Sequence, residues 1–467
     1  MNIVDAINDE NLFLSFLGQK LDSWRPWITA LRALYGLPVE SRLGTRLVTA
    51  CTGRDAAQLP TEGFETALFL TGRRSGKSRT AAMIGAYEAA LAGHERRLAR
   101  GERGVVPILA PSKQQSRVVR DYLRAIFNTP LLAGEVSGET KDGFELKSGT
   151  RIAILAGDWR TVRAFTLLAA IVDEACFFGL DPESSIRSDT ELIRALKPGL
   201  ATVRGKLICI SSPYARRGWC FEQYTKNFGS NTGRTLVWNA PSRTMNPTLP
   251  QEVVDAALAE DLAAAKSEYL GEFRDDVSQF LDRNVIEKLV VPGRTELLPA
   301  RHQQSYTAFV DMSGGRNDDA VLAIAHRTGR TVVLDLLRRY RPPFNPHAVV
   351  RQMASELRPW HVSRVTGDNY AAEFCAGAFQ GCNIGYRRCD QNKNQLYAEL
   401  LPRLCSGEIE LLDNPALVQQ MAALERRVRA GGRDVIDHPP GGHDDLANAV
   451  AGVAVVAGAR RRVLGAL

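Results

Sequence analysis

Cysteine is scarce and scattered in this chain. The eight cysteines (51, 176, 209, 220, 375, 382, 389 and 405) include no CxxC pair, and Cys209 lies inside the apolar run LICIS. That spacing argues against a zinc site, and a disulfide framework is out of place in a chain of 467 residues. The expected compartment is a reducing cytoplasm. Long apolar runs are missing too. The longest, residues 446–459, is interrupted by Asn448 and is too short for a bilayer, so it reads as a buried helix. The opening MNIVDAINDE is polar and acidic, unlike a secretion signal. Neither an internal repeat nor a long low-complexity tract is visible. Lysine is rare, eleven against 48 arginines. Arginine forks onto phosphate as lysine cannot, although a GC-rich genome produces the same bias.

What is present describes an ordinary globular chain. Hydrophobic residues make up 45%, enough for each domain to bury a core. The length suggests two or three domains of about 100–200 residues. A net charge of +7 is mild and fits a polyanionic partner without requiring one.

Residues 1–60 read as helical, with Phe13, Phe16, Leu17 and Leu21 at helical spacing. From about 66 to 240, buried-strand runs (ALFLT, VVPILA, RIAILA, LLAAIVDEA, KLICISS) alternate with amphipathic stretches, which predicts a parallel sheet covered on both faces. Residues 246–300 lose that alternation and read as a bridge containing one helix over 251–273. A second α/β unit begins near 304 with YTAFVD, AVLAIAH, TVVLDLL and RVTGD as strands, a helix around 347–358 and a last helix from about His443.

Two constellations carry chemistry. The first follows the strand ALFL: Thr71, Gly72, Arg73, Arg74, Ser75, Gly76, Lys77 and Ser78, then a helix. Strand, glycine-containing turn, Lys-Ser and helix form the context of a phosphate-binding loop. Lys77 would neutralise phosphate oxygens and Ser78 would hold Mg2+. The strict pattern has glycine where Thr71 stands. Asp173 and Glu174 end a strongly apolar strand, where side chains face the ligand crevice of a parallel sheet. Asp173 suits the Mg2+ shell, and Glu174 suits orientation or deprotonation of a water. Ser211 and Ser212 end another strand and could sense a terminal phosphate, although turn chemistry alone explains them.

The second constellation is acidic. Asp311 and Asp368 end two strands, and Asp444 and Asp445 open the last helix. Converging carboxylates suit Mg2+ or Mn2+, and two such ions can assist a phosphodiester displacement. Asp318 and Asp319 are possible outer ligands, and His443 could orient a water or a ligand. Taken singly, each acid also reads as a solvated loop residue, and Asp444 and Asp445 as helix caps.

In order along the chain stand RPW (25–27), GRRSGKS (72–78), the strand into DEA (173–175), SSP (211–213), RRGWCFEQY, WNAPSRTMNP (238–247), EYLGEFRDD, VDMSGG (310–315), GDNYAAEF and HPPGGHDDLANA (438–449). This succession resembles the large subunit of tailed-phage terminases. The resemblance implies a P-loop ATPase of the ASCE class with a mainly parallel sheet in residues 1–245, a bridging subdomain in 246–300 and an RNase H-like nuclease in 301–467. It implies ATP with Mg2+ in the motor and two Mg2+ or Mn2+ in the nuclease. Its partners would be double-stranded DNA, a portal protein and a small subunit, with a ring, usually of five copies, on the procapsid in the host cytoplasm and no membrane. On this pattern Thr71–Ser78, Asp173, Glu174, Ser211 and Ser212 match the ATP site. Arg73 matches a phosphate-contacting arginine and Arg163 an arginine finger. Asp311, Asp368 and one of Asp444 and Asp445 match the nuclease triad. The glutamine expected after RPW to contact adenine is replaced by Ile28 and Thr29. A repair helicase–nuclease, a junction nuclease with a decayed ATPase and a non-enzymatic DNA-binding scaffold are the alternatives.

Overall fold

The computed structural model describes residues 1–156, 165–179, 188–300, 304–368, 372–428, 434–439 and 442–459. The chain forms two compact units that divide between Asp276 and Val277. Segment 246–300, expected as a bridge, is therefore shared between them. Its first part joins unit 1, where Asn246 and Glu268 bond the residues after the first strand. Its second part joins unit 2, where Leu281 and Ile286 enter the core.

Unit 1 opens with short helices. One of them, Arg25–Leu34 (α1), carries Pro26 in its first turn and buries Trp27, Ala30, Leu31 and Leu34 on one face. Its strands are Thr66–Thr71 (β1), Gly104–Ala110 (β2), Val136–Thr140 (β3), Gly143–Leu146 (β4), Arg151–Ala156 (β5), Thr166–Leu167 (β6), Ala169–Asp173 (β7), Lys206–Ser211 (β8) and Thr235–Ala240 (β9). Helix Lys77–Ala90 (α2) follows β1. The sheet runs β3-β4-β5-β2-β7-β8-β1-β9, with β6 beside β2. From β5 to β9 all neighbours are parallel, while β3, β4 and β5 pair antiparallel. Every residue of β2 and β7 is buried, as continuous apolar runs require of strands covered on both faces. Along β1, Ala67 and Phe69 enter one core while Leu68 and Leu70 enter the other.

The order places β8 between β1 and β7, so three strand ends share one edge of the sheet. That edge carries the loop after Thr71, the Ser211-Ser212 pair and the Asp173-Glu174 pair. The helix expected over 251–273 is broken instead. Gln251–Glu260 ends where Asp261 caps a new start at Leu262, and a wide turn over Lys266–Leu270 closes at Gly271, φ +77°.

Unit 2 contains Val277–Gln279 (β10), Tyr306–Asp311 (β11), Ala320–Thr328 (β12), Thr331–Tyr340 (β13), Arg364–Gly367 (β14), Gly385–Arg388 (β15), Ile409–Glu410 (β16), Glu425–Val428 (β17) and Asp434–Asp437 (β18). Six strands form the order β15-β14-β11-β12-β13-β16. β12 is antiparallel to both neighbours, and β14 and β15 run parallel to β11. An antiparallel meander whose first strand continues into two parallel strands is the arrangement of the ribonuclease H fold. β10, β17 and β18 form a separate antiparallel sheet. Helix Lys393–Ser406 (α3) and helix Asp445–Gly458 (α4) bury residues in this core, as do the helices Pro346–Leu357, expected around 347–358, and Pro415–Ala423. α4 is the buried helix expected from the 446–459 run. Gly452 lets it approach β11, since a Cβ there would lie 2.5 Å from the Phe309 ring. Among the described residues no helix is long and apolar enough to cross a membrane. All eight cysteines are free thiols.

Candidate functional sites

The loop after β1 is built by close approach. A Cβ on Gly72 would meet Ser242 Oγ at 2.2 Å and the carbonyls of Glu268 and Tyr269 at 2.8 Å, so only glycine fits. Gly76 turns the chain into α2 at φ +92°. Thr71, which departs from the glycine of the strict pattern, is the last residue of β1, paired with Ala240. Its hydroxyl lies 2.9 Å from Ser75 Oγ and closes the loop. Three successive loop carbonyls are engaged by side chains from elsewhere. Ser242 Oγ donates to Arg73 O at 2.7 Å, Asn246 Nδ2 to Arg74 O at 2.8 Å and Trp27 Nε1 to Ser75 O at 2.6 Å. With its carbonyls so held, the loop keeps one shape, as a phosphate cradle requires.

Lys77 is buried. Its Nζ donates to Ser212 Oγ at 2.8 Å and to the carbonyls of Gly72 and Thr71 at 3.1 and 3.3 Å, and lies 3.6 Å from Glu174 Oε1. Ser78 Oγ donates to Asp173 Oδ2 at 2.7 Å. The other oxygen, Asp173 Oδ1, is buried with no hydrogen-bond partner. Burial, then the charge of Glu174, pushes the Asp173 carboxyl up to about 7, against the pull of Ser78 and Lys77. A hydroxyl beside a carboxylate with an orphaned oxygen is a donor set that fits Mg2+.

Glu174 adopts φ +50°, a left-handed conformation costing a non-glycine residue about 1–3 kcal/mol. Its Oε2 accepts from Ser212 N at 3.2 Å and lies 3.4 Å from Ser211 Oγ. The serine pair thus touches both the lysine and the glutamate of the site. A cleft of about 570 Å³ opens over the loop, lined among others by Trp24, Arg74, Lys77, Tyr122, Glu174 and Asn246. The Arg73 side chain is largely exposed and pairs with Glu268 at 3.2 Å. Arg163 lies outside the described residues.

In unit 2, Asp311 and Asp368 stand at the ends of the paired strands β11 and β14. Asp311 is buried and accepts from Asn448 Nδ2 at 2.8 Å. Burial pushes its carboxyl well above the usual range, the Asp368 charge adds to this, and Asp445 and Asp444 contribute further; the Asn448 hydrogen bond pulls the other way. The sequence-predicted acids therefore share one field. Asp445 is held up at about 6, first by burial and then by Asp319 and Asp444. Its Oδ2 is buried with no hydrogen-bond partner. Mutually opposed carboxylates with an orphaned oxygen fit hard divalent ions.

The Asp444 side chain does not cap α4, the alternative its position allowed. Asp444 stands at the N-cap position, but its side chain makes no cap hydrogen bond. Gln420 Oε1 accepts from the backbone N–H of Leu446 and Ala447 at 2.8 and 3.2 Å instead. The Asp444 carboxylate turns to Tyr397 and Lys393. His443 Nδ1 lies 3.5 Å from Asp318 Oδ1 and 4.0 Å from Asp445 Oδ2, between an exposed acid and the cluster. Asp319 is paired with Arg339, which makes it a second-rank candidate for a ligand. Sequence reading missed Trp27, Ser242, Asn246 and Glu268 as partners of the loop, and Asn448 and Gln420 around the acids. All of these except Gln420 stood inside the quoted motifs, and that was the available signal.

By fold and geometry, the chain is an α/β unit with a P-loop-like turn after β1, followed by a ribonuclease H-like unit with an acidic cluster. No family model matches it, and no curated protein does. Solved structures resemble it at low identity. The HK97 bacteriophage large terminase gives a TM-score of 0.43 at 15% identity, covering 97% of this chain and 99% of that one. The large terminase of a thermophilic bacteriophage in complex with ADP gives 0.39 at 12%, covering 94% and 99%. The large terminase nuclease of thermophilic phage G20c with bound magnesium gives 0.30 at 16%, covering 34% and 92%.

Proposed function

We propose that this chain is the large subunit of a tailed-phage terminase. In this reading unit 1 hydrolyses ATP to drive double-stranded DNA into a procapsid, and unit 2 cuts concatemeric DNA. One observation supports it: the chain carries both a glycine-turned loop with buried Lys77 beside Asp173 and, separately, a cluster of acids, and each holds a buried carboxylate oxygen that has no hydrogen-bond partner, Asp173 Oδ1 and Asp445 Oδ2.

At the first site Lys77 would draw charge from the terminal phosphates, while Ser78 and Asp173 would hold Mg2+. Glu174 orients and deprotonates the attacking water. Ser211 and Ser212, bonded to Glu174, and Ser212 to Lys77, carry the change in that site into β8. Arg73 reaches phosphate, and Arg163 serves the neighbouring copy as an arginine finger, a group that contributes a factor of about 10³–10⁵ in related hydrolases. At the second site Asp311, Asp368 and one of Asp444 and Asp445 would hold two Mg2+ or Mn2+. Such ions stabilise the attacking and leaving oxygens of a phosphodiester. The partners are double-stranded DNA, a portal protein, a small subunit and further copies in a ring, in the host cytoplasm.

The experiment separates the two sites. Lys77→Ala is expected to abolish ATP hydrolysis and leave Mn2+-dependent DNA cutting intact, while Asp311→Asn does the reverse. Loss of both activities in both folded variants, or retention of both, overturns the reading.

A further inference from the structure

Beside the acidic cluster of unit 2 lies a second group of ligands. Asp437, His438 and Asp444 offer atoms that all lie within 4.8 Å of one another. His438 Nδ1 lies 2.9 Å from Pro439 O and so donates, which turns Nε2 toward the acids, 3.8 Å from Asp437 Oδ1. By chemistry this trio could take a divalent ion.

A cation is already there. Lys393 Nζ lies 2.6 Å from Asp437 Oδ1 and 2.7 Å from Asp444 Oδ2. Tyr397, one turn later on the same face of α3 and fully buried, donates to the same Asp444 Oδ2 at 2.8 Å. Asn394 Oδ1 accepts from Ile436 N at 2.8 Å, tying the first turn of α3 to β18. That turn is itself fixed by a reciprocal cap between Asn392 and Gln395. Asp444 is thus neutralised and bonded, whereas its neighbour Asp445 keeps an oxygen with no hydrogen-bond partner.

We propose that Lys393 is a resident cation and positioning residue of the nuclease. Its ammonium joins Asp437 to Asp444, excludes a divalent ion from that corner and leaves Asp445 to complete the metal site with Asp311 and Asp368. The inference rests on the nuclease reading of unit 2. It makes metal uptake and cutting move in opposite directions when the lysine charge is removed. A merely structural lysine would lower both.

The test is a Mn2+ titration of the full chain, followed by electron paramagnetic resonance without DNA or nucleotide, beside cleavage of linear DNA at saturating Mn2+. Lys393→Gln is expected to bind one more Mn2+ per chain than the native protein and to cut at least tenfold more slowly. Lys393→Arg, which keeps the charge, is expected to bind the native number and to recover most of the rate. An unchanged Mn2+ count in Lys393→Gln, an extra ion without slower cutting, or joint loss of ions and cutting overturns the proposal. Asp311→Asn run in parallel separates the two failures. If it cuts like the native chain, the nuclease reading has failed; if it is inactive while Lys393→Gln is native-like, only the role of Lys393 has.

Discussion

Asn246 Nδ2 donates to the carbonyl of Arg74 at 2.8 Å, across 172 positions of sequence. It is the middle of three such bonds, flanked by Ser242 on Arg73 and Trp27 on Ser75. Asn246→Ala removes one tether and leaves Lys77, Ser78 and Glu174 untouched. A hydrogen bond of this kind contributes about 1 kcal/mol, so the ATP KM should rise about fivefold. Steady-state phosphate release measures it, and DNA cutting should be unchanged. An unaltered KM would mean that the loop holds its shape without Asn246.

Glu174 is held by Ser212 N in a strained backbone conformation. Glu174→Gln keeps a side chain of the same shape but removes the base. Phosphate release should fall by at least about a hundredfold, while a non-hydrolysable ATP analogue still binds. Equilibrium binding beside single-turnover hydrolysis distinguishes these. Retained hydrolysis would remove Glu174 from the chemistry.

Asp173 links pH to stability. Its folded carboxyl is raised to about 7 from an ordinary 3.8. Between pH 4 and 7 the native state therefore holds more protons than the unfolded chain, so stability falls as pH rises through that window. Asp173→Asn should raise the melting temperature of the metal-free protein at pH 8 and much less at pH 4, and should abolish ATP hydrolysis. Calorimetry in chelator reads the difference. An equal effect at both pH values would show that charge burial is not the cause.

Asn448 bonds to the charged form of Asp311 and lowers its proton affinity. Asn448→Ala takes that bond away, so Asp311 should protonate more readily. The acid limb of the cutting rate against pH should move to higher pH, and more Mn2+ should be needed for half-maximal cutting. Rate profiles at several fixed Mn2+ concentrations check both. A limb that stays in place would separate Asp311 from the step being measured.

The central strands were legible in the sequence because burial on both faces leaves no room for polar residues, as in VVPILA and AAIVD. The loop and the acids were legible because glycine turns and strand-end carboxylates are local patterns. β4, β9, β10, β17 and β18 were not named, nor were β3 and β15, which have no buried residue, and β16, which is two residues long, so no apolar run or alternation marks these last three. The partners of the sites were hidden for another reason. Gln420 meets the start of α4 from 26 positions away, and Asn448 meets Asp311 from 137. Trp27, which reads as a core residue, is one, but its indole N–H also ends on the loop. No periodicity reports such bonds, because they depend on how distant elements come together. The break of helix 251–273 at Asp261 was visible in principle, since aspartate is a good helix start.

The glutamine that closes α4 has a consequence for which substitutions this protein can survive. Because Gln420 supplies the acceptor that the first N–H groups of the helix need, the two aspartates there are relieved of a purely local duty. Their freedom depends on a residue outside the acid set. A change at Gln420 would leave the whole acid set intact, yet would invite Asp444 or Asp445 to swing back and serve its own helix. Loss of cutting could therefore begin at a position that any inventory of acids would overlook.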